Sequence, residues 1–244
     1  MKKEPQKKQP PTRRAYELRP IRIQRGFTRT AGGSVLIEMG NTKVLCTASF
    51  APAEVPSWRK DSGLGWVTAD YAMLPASTSP RKPRSKIGHT DSRGTEIQRL
   101  IGRVLRSVVD FQKLGENSIY VDCDVLQADG GTRTAAINGG YLALVDAVRW
   151  AMRQGFIPEN PIRQAVAAIS VGIIDGRVRL DLDYELDSRA EVDLNVAMTA
   201  DGRFVELQGT GEKNTFSQDD LDGMLKAARK GIRQIFQRQK EVLR

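Results

Sequence analysis

The stretch that most constrains the fold runs from Ile119 to Ile137. Ile119, Val121, Cys123 and Val125 alternate with more polar residues, which predicts a strand with one buried face. The chain then meets Gly130-Gly131 and continues as Thr132-Arg133-Thr134 into Ala135-Ala136-Ile137, the first turn of a predicted helix. Strand, glycine turn and helix start together build an anion site. The first N–H groups of a helix have no intrahelical partner and point outward. Glycine lets a ligand oxygen come close to the backbone. Arg133 adds a planar charged fork that matches phosphate geometry. The same residues also satisfy a plain strand-to-helix turn with Arg133 in solvent. No Gly-Lys-Ser/Thr follows, so this is not the phosphate loop of NTPases, and the dinucleotide fingerprint is absent too.

Upstream, the pattern from Leu18 to Leu74 is one of strands. Ser34–Met39 and Lys43–Ser49 flank a Gly40-Asn41 turn and read as a hairpin, and Trp66–Tyr71 is a further strand. Ile97, Leu100, Ile101, Val104, Leu105, Val108 and Val109 form one apolar stripe, which predicts a helix over Thr95–Phe111. Arg93 stands just before it, where a side chain can serve an anion near the helix end. Arg99, Arg103 and Arg106 lie on other faces and read as solvated. The helix that begins near Thr132 runs to about Gln154. Its Gly139-Gly140 pair costs ~1 kcal/mol per residue in helix propensity and implies close packing against a sheet.

Downstream, Val166–Ile174 and Arg177–Leu182 form a hairpin around Asp175-Gly176. In the next strand Val192, Leu194, Val196 and Met198 alternate with Glu191, Asp193 and Asn195. Asp187 lies at its entry and Asp193 on its polar face. Such gathered carboxylates are tolerated if they face water, pair with arginines, or hold a hard divalent cation. Phe204–Gln208 pairs back, and Ser217 caps a last helix whose stripe is Leu221, Leu225, Ala228, Ile232, Ile235 and Phe236.

Two segments stand apart by composition. Residues 1–17 are rich in Lys, Gln and Pro and predict a disordered tail, either merely solvated or a weak, salt-sensitive hold on RNA. Residues 75–90 carry Pro75, Pro80 and Pro83 with Arg81, Lys82, Arg84 and Lys86 and no acidic residue. That segment is either a solvated loop or a grip on a nucleic-acid backbone. The net charge is +9, of which residues 1–14 carry +5, so the folded body is only mildly basic. No apolar run approaches the ~18 residues that span a bilayer. No apolar segment follows the basic start, so no secretory leader is expected. Cys46 and Cys123 both fall in predicted strands, which fits buried thiols in a reducing cytoplasm and not a disulfide; with His89 the single histidine, a zinc site is not expected either.

With these residues laid out, the chain from about Arg19 to Arg238 resembles the ribonuclease PH family. The resemblance is carried by Lys43–Ser49, by Glu96-Ile97-Gln98-Arg99-Leu100-Ile101-Gly102-Arg103, and by Asp122–Ala135. One departure is local: Asp91 and Ser92 stand where the family commonly has small glycines. The resemblance implies an α/β fold of two βαβα-like halves with mixed sheets and packed helices. The halves would divide a domain of residues 18–244 into 18–155 and 156–244. It implies a phosphate-dependent 3′-to-5′ exoribonuclease acting on tRNA precursors and other RNA with free 3′ ends, a nucleotidyltransferase whose reaction also runs backward. Arg93, Gly131, Thr132 and Arg133 would bind inorganic phosphate, the co-substrate. Asp187 and Asp193 would be the catalytic carboxylates and hold Mg²⁺. Arg81 and Arg84 would guide RNA, and a homohexameric ring, a trimer of dimers, would be the assembly. A catalytically silent RNA-binding ring subunit and a phosphate-binding metabolic enzyme remain as rivals.

Overall fold

In the computed structural model, which describes residues 13–84 and 91–244, the predicted strand is β5 (Ser118–Gln127), and the rest of the first half is arranged around it. Its neighbours are β3 (Thr42–Ala51), antiparallel, and β4 (Trp66–Met73), parallel. β2 (Gly33–Met39) and β1 (Ile21–Arg25) extend the sheet, giving the order β1-β2-β3-β5-β4. The Gly40-Asn41 hairpin forms as expected. Cys46 and Cys123 face each other across β3 and β5, both buried and both free thiols.

The parallel pair needs a crossover, and α1 (Ser92–Arg106) supplies it. The helix starts three residues before the expected Thr95 and stops five before Phe111. The apolar stripe does continue through Val108 and Val109, but their backbone has another partner. Val109 bridges to Ile162, Asp110 N–H donates to Pro161 O at 2.8 Å, and Arg163 N–H donates to Val108 O at 2.8 Å. Asp110 then caps the one-turn α2 (Phe111–Leu114). Arg106 is not simply solvated. Its guanidinium lies 4.6 Å from the Trp66 ring centre and donates to Val67 O.

α3 (Thr132–Arg153) is buried along most of its length. One side lies on β2, β3 and β5, the other on β6 (Val166–Ile174). The glycine pair does what its sequence implied: a Cβ on Gly139 would sit 2.7 Å from both Cys46 Sγ and Ile37 Cγ2. β7 pairs only with Val171–Ile174 of β6, and on that edge, at Ala168, Asn138 of α3 stands in. Its Nδ2 donates to Ala168 O at 2.9 Å and its Oδ1 accepts from Ala168 N–H at 2.8 Å. That exchange satisfies a strand backbone inside the core.

The second sheet holds β7 (Arg177–Leu180), β6, β8 (Val192–Thr199) and β9 (Phe204–Gly211) in the order β7-β6-β8-β9, all antiparallel. The first sheet is the mixed one. α5 (Gln218–Leu243) covers the second sheet, opened by Ser217 and Asp220 in a reciprocal capping box. One hydrophobic core draws on both sheets. β7 stops at Leu180, two residues before its expected end, because Asp181 turns to φ 57°. A short helix not expected from sequence, α4 (Tyr184–Arg189), follows, with Asp183 Oδ1 accepting from Leu186 N–H at 3.0 Å.

Residues 1–12 of the expected tail, and Lys86 and His89 of the basic loop, lie outside the described residues. Arg13–Glu17, read as tail from sequence, is seated on the second half. Leu180 N–H donates to Ala15 O, and Arg13 reaches the buried Asp181. No helix among the described residues is long and apolar enough to cross a membrane.

Candidate active site

The turn between β5 and α3 is built by two left-handed glycines, Gly130 at φ 70° and Gly131 at φ 64°. Gly131 is the N-cap of α3 and offers no side chain to the first amides of the helix. Those amides belong to Thr132, Arg133 and Thr134. Tyr71 Oη donates to Thr132 Oγ1 at 2.9 Å, which leaves the threonine hydroxyl proton to point elsewhere. Burial pushes the Tyr71 phenol up, so it stays a donor.

This turn forms one wall of a cleft of about 730 Å³. Arg93, in the first turn of α1, and Arg133, in the first turn of α3, both line it. Asp187 of α4, Asp193 of β8 and Glu212 just past β9 line the same cleft from the second half. Two cations and a helix N-terminus therefore share it with a group of carboxylates.

Electrostatics link the two groups. Burial raises the Asp187 carboxyl above its usual range, against the opposing pull of Arg93 and Arg133. Asp193 is raised by burial first, then by the charges of Asp187 and Glu212. Asp193 Oδ1 is buried with no hydrogen-bond partner. An orphaned carboxylate oxygen beside a second carboxylate is a donor set for a hard cation. No group of three or more His, Cys, Asp or Glu residues close enough to cage a metal occurs among the described residues. A two-carboxylate site suits Mg²⁺, which keeps several waters and takes further oxygens from substrate.

The structure thus brings Arg93, Gly131, Thr132, Arg133, Asp187 and Asp193 into one cleft. Arg81 and Arg84 are exposed and stand outside its lining, whereas Lys82 between them lies on its wall. Lys82 pairs with Asp91, the residue before α1, and holds that carboxyl below the usual range. Sequence reasoning missed Glu212 and Lys213, which lie beyond the expected end of the strand at Gln208, and Tyr184, hidden in the unforeseen α4. Asn195 was within reach, since it shares the polar face of β8 with Asp193.

The chain is similar to known proteins over most of its length. The 3′ exoribonuclease family matches twice, its domain 1 over residues 17–149 and its domain 2 over residues 164–231. Ribonuclease PH of Nocardia farcinica is 58% identical over 229 residues, covering 93% of this chain and 89% of the relative. Ribonuclease PH of Corynebacterium diphtheriae is 57% identical over 228 residues, covering 93% of this chain and 94% of the relative. Among solved structures, the Archaeoglobus fulgidus exosome with RNA bound to the active site matches with a TM-score of 0.78 at 22% identity, over 93% of this chain and 90% of that one. At that identity the likeness is one of fold.

Proposed function

The chain belongs to the 3′ exoribonuclease family, and from that premise we propose how its cleft removes nucleotides from RNA by phosphorolysis. The chain is a phosphorolytic 3′-to-5′ exoribonuclease of the nucleotidyltransferase class, with inorganic phosphate as co-substrate. The reading assigns the phosphate seat to the Gly131–Arg133 turn with Arg93, and the carboxylate pair to Asp187 and Asp193. The observation that carries it is that these groups, from both halves of the chain, line a single cleft.

Water is far more abundant than phosphate, so selection must come from binding. The first amides of α3 and the guanidiniums of Arg93 and Arg133 offer charge-assisted hydrogen bonds of ~1.5–3 kcal/mol each. They hold the nucleophile in line with the terminal 3′,5′-phosphodiester, which turns a bimolecular encounter into an oriented one. Attack forms a P–O–P bond and breaks the bond to the 3′-oxygen of the preceding nucleotide. A nucleoside diphosphate leaves, and the shortened RNA keeps its 3′-oxygen. The arginines offset the charge of two approaching anions. Asp187 and Asp193 would hold Mg²⁺, which when bound supplies further neutralisation of developing phosphoryl charge. A carboxylate of this pair that is free of the cation would give the leaving 3′-oxygen its proton.

Finer features belong to the same proposal. The RNA is a tRNA precursor trimmed to its CCA end, Arg81 and Arg84 guide the approaching strand, and copies assemble as a hexameric ring, a trimer of dimers. The location is cytoplasmic, in keeping with two free buried thiols. The test is nucleoside diphosphate release from tRNA carrying extra 3′ residues, with and without phosphate. Release that requires phosphate is expected. Monophosphate release independent of phosphate would overturn the reading, and RNA binding with no turnover would favour a silent ring subunit.

A further inference from the structure

Arg19, just before β1, is 6% exposed and sits behind the phosphate turn. Its Nη1 donates to Asp129 O at 2.6 Å, and both terminal nitrogens lie 3.4 Å from Gly130 O. Thr42 Oγ1 donates to the same Gly130 carbonyl at 2.6 Å. In a trans peptide the C=O and N–H point in opposite directions. Drawing the Asp129 and Gly130 carbonyls back toward Arg19 therefore turns the Gly130 and Gly131 N–H groups the other way, and both glycines line the cleft.

The same guanidinium also reaches the second half. Arg19 Nη2 donates to Asp181 Oδ1 at 2.7 Å, and Arg19 N–H donates to Asp181 Oδ2 at 2.8 Å. Asp181 is fully buried and left-handed. Arg13 grips it from the outer side, donating to its carbonyl at 2.6 Å, and lies 3.9 Å from Asp183 Oδ2. Asp183 caps α4, the helix that carries Asp187. Tyr184 N–H, in the first turn of α4, donates back to Asp129 Oδ1 at 3.3 Å. A continuous polar path thus runs from the phosphate turn through Arg19 and Asp181 to the carboxylate helix.

We propose that Arg19 is a positioning residue for phosphorolysis: its fork fixes the Gly130-Gly131 amides toward phosphate and, through Asp181, holds α4 and Asp187 at a set spacing from them. Arg13 completes the device, so the segment before β1 contributes to the site without touching substrate. A single point charge would not do, because two acceptors from different halves must be held by one planar group. The inference rests on the phosphate seat assigned under Proposed function.

The experiment uses the full chain and steady-state phosphorolysis with separate KM values for phosphate and RNA. Arg19→Met is expected to raise the phosphate KM about tenfold and lower kcat, as sub-ångström misplacement of a binding turn does, with the RNA KM held within about twofold. Arg19→Lys keeps the charge but not the fork and is expected to fall between Arg19→Met and wild type. Arg25→Met serves as the control, since it breaks another partly buried pair, with Asp146 on α3, away from the cleft. It is expected to lower Tm and leave the phosphate KM alone. If Arg19→Met does not fold, Arg19→Lys and Arg13→Gln carry the same readout. An unchanged phosphate KM in a folded Arg19 variant, or equal rises for phosphate and RNA, would overturn the positioning role. If Arg133→Ala also leaves the phosphate KM unchanged, the phosphate seat itself is elsewhere. If only Arg133→Ala moves it, the seat stands and the role of Arg19 fails.

Discussion

Arg133 of α3 donates to Gln208 of β9 across the two halves, with Nη1 2.6 Å from Oε1. Glu96 of α1 completes a triangle: its Oε1 is 3.4 Å from the same Arg133 nitrogen and accepts from Gln208 Nε2 at 2.6 Å. The guanidinium is held at the mouth of α3 before any anion arrives, and Glu96 is the member of the triangle whose negative charge competes with phosphate for it. Arg133→Ala is expected to cut phosphorolysis by ~10²-fold or more, the loss of one or two charge-assisted bonds, with Tm nearly unchanged. Glu96→Gln is expected to lower the phosphate KM by ~1.5- to 5-fold, the range of an exposed ion pair removed from competition. Wild-type turnover in Arg133→Ala would exclude the arginine from the site, and a higher phosphate KM in Glu96→Gln would show that the carboxylate supports Arg133 and does not compete.

Asp193 carries the orphaned oxygen, and Asp187 the neighbouring charge that helps raise it. Asp193→Asn keeps the shape and removes the charge. Phosphorolysis is expected to fall by ~10²-fold or more, and its dependence on Mg²⁺ concentration to shift upward, while RNA affinity in a filter-binding assay stays put. An unaltered Mg²⁺ dependence would take the carboxylate out of cation binding.

Arg81 and Arg84 are exposed beside the cleft-lining Lys82. If both grip RNA phosphates, the double alanine variant releases about two fewer counterions on binding. The slope of log affinity against log salt is then expected to flatten by ~1.4, at ~0.7 per phosphate for a single strand. An unchanged slope would place the strand elsewhere on the surface, with Lys82 next to be tested.

Much of this molecule was legible in its residues, and the parts that were not share a cause. β5 and α3 declared themselves because periods of two and of 3.6 residues are local properties. The turn between them was legible as a turn, but its residues fit a plain strand-to-helix connection as well as an anion seat, and only the longer resemblance favoured the second. The end of α1 was not legible, since Val108 and Val109 keep the helical stripe while their backbone pairs with residues near Pro161. α4 was hidden because its cap, Asp183, sits in a run of carboxylates that offered several equally good candidates. Arg19 and Asp181 carried no local signal at all, because each acquires its role from a partner more than 160 positions away in sequence. Arg13–Glu17 reads as tail by composition, and the partners that seat it, the buried Asp181 and the Leu180 backbone, lie far away in sequence.

The open face of the first sheet holds a charge conflict. Asp70 of β4 stands beside Asp122 of β5. Burial, then the charges of Asp70 and Asp124, raise the Asp122 carboxyl above its usual range. The sign follows from proton uptake. Below the unperturbed value of ~3.9 both folded and unfolded forms are protonated, and the conflict is silent. As pH rises through the window from there to the raised folded value, the unfolded chain ionises first, the native state binds more protons, and stability falls. Asp122→Asn removes that penalty. Its Tm advantage over wild type is expected to grow as pH rises from about 4 through the raised folded range and then to level off, with a gain under ~1 kcal/mol because the half-exposed group is screened by water. A gain of constant size across that range would assign it to something other than ionisation.

Gly130 and Gly155 are both left-handed, at φ 70° and 77°, but only one is hemmed in. A Cβ on Gly130 would lie 2.5 Å from Asp183 C, 2.6 Å from Leu182 O and 2.7 Å from Tyr184 N, all backbone of the second half. A Cβ on Gly155 would meet nothing within 4 Å. Gly155→Ala is therefore expected to cost only the ~1–2 kcal/mol of a left-handed alanine. Gly130→Ala must in addition push the phosphate turn away from the segment leading to α4, because backbone cannot rotate out of the way as a side chain can. It is expected to cost ~1–3 kcal/mol beyond Gly155→Ala in denaturant unfolding, the usual range for overpacking a tight site. The displaced turn should also raise the phosphate KM, which Gly155→Ala leaves alone. Equal destabilisation by the two alanines, with equal phosphate KM values, would mean that the phosphate turn and the carboxylate segment are not in the backbone contact on which their shared geometry depends.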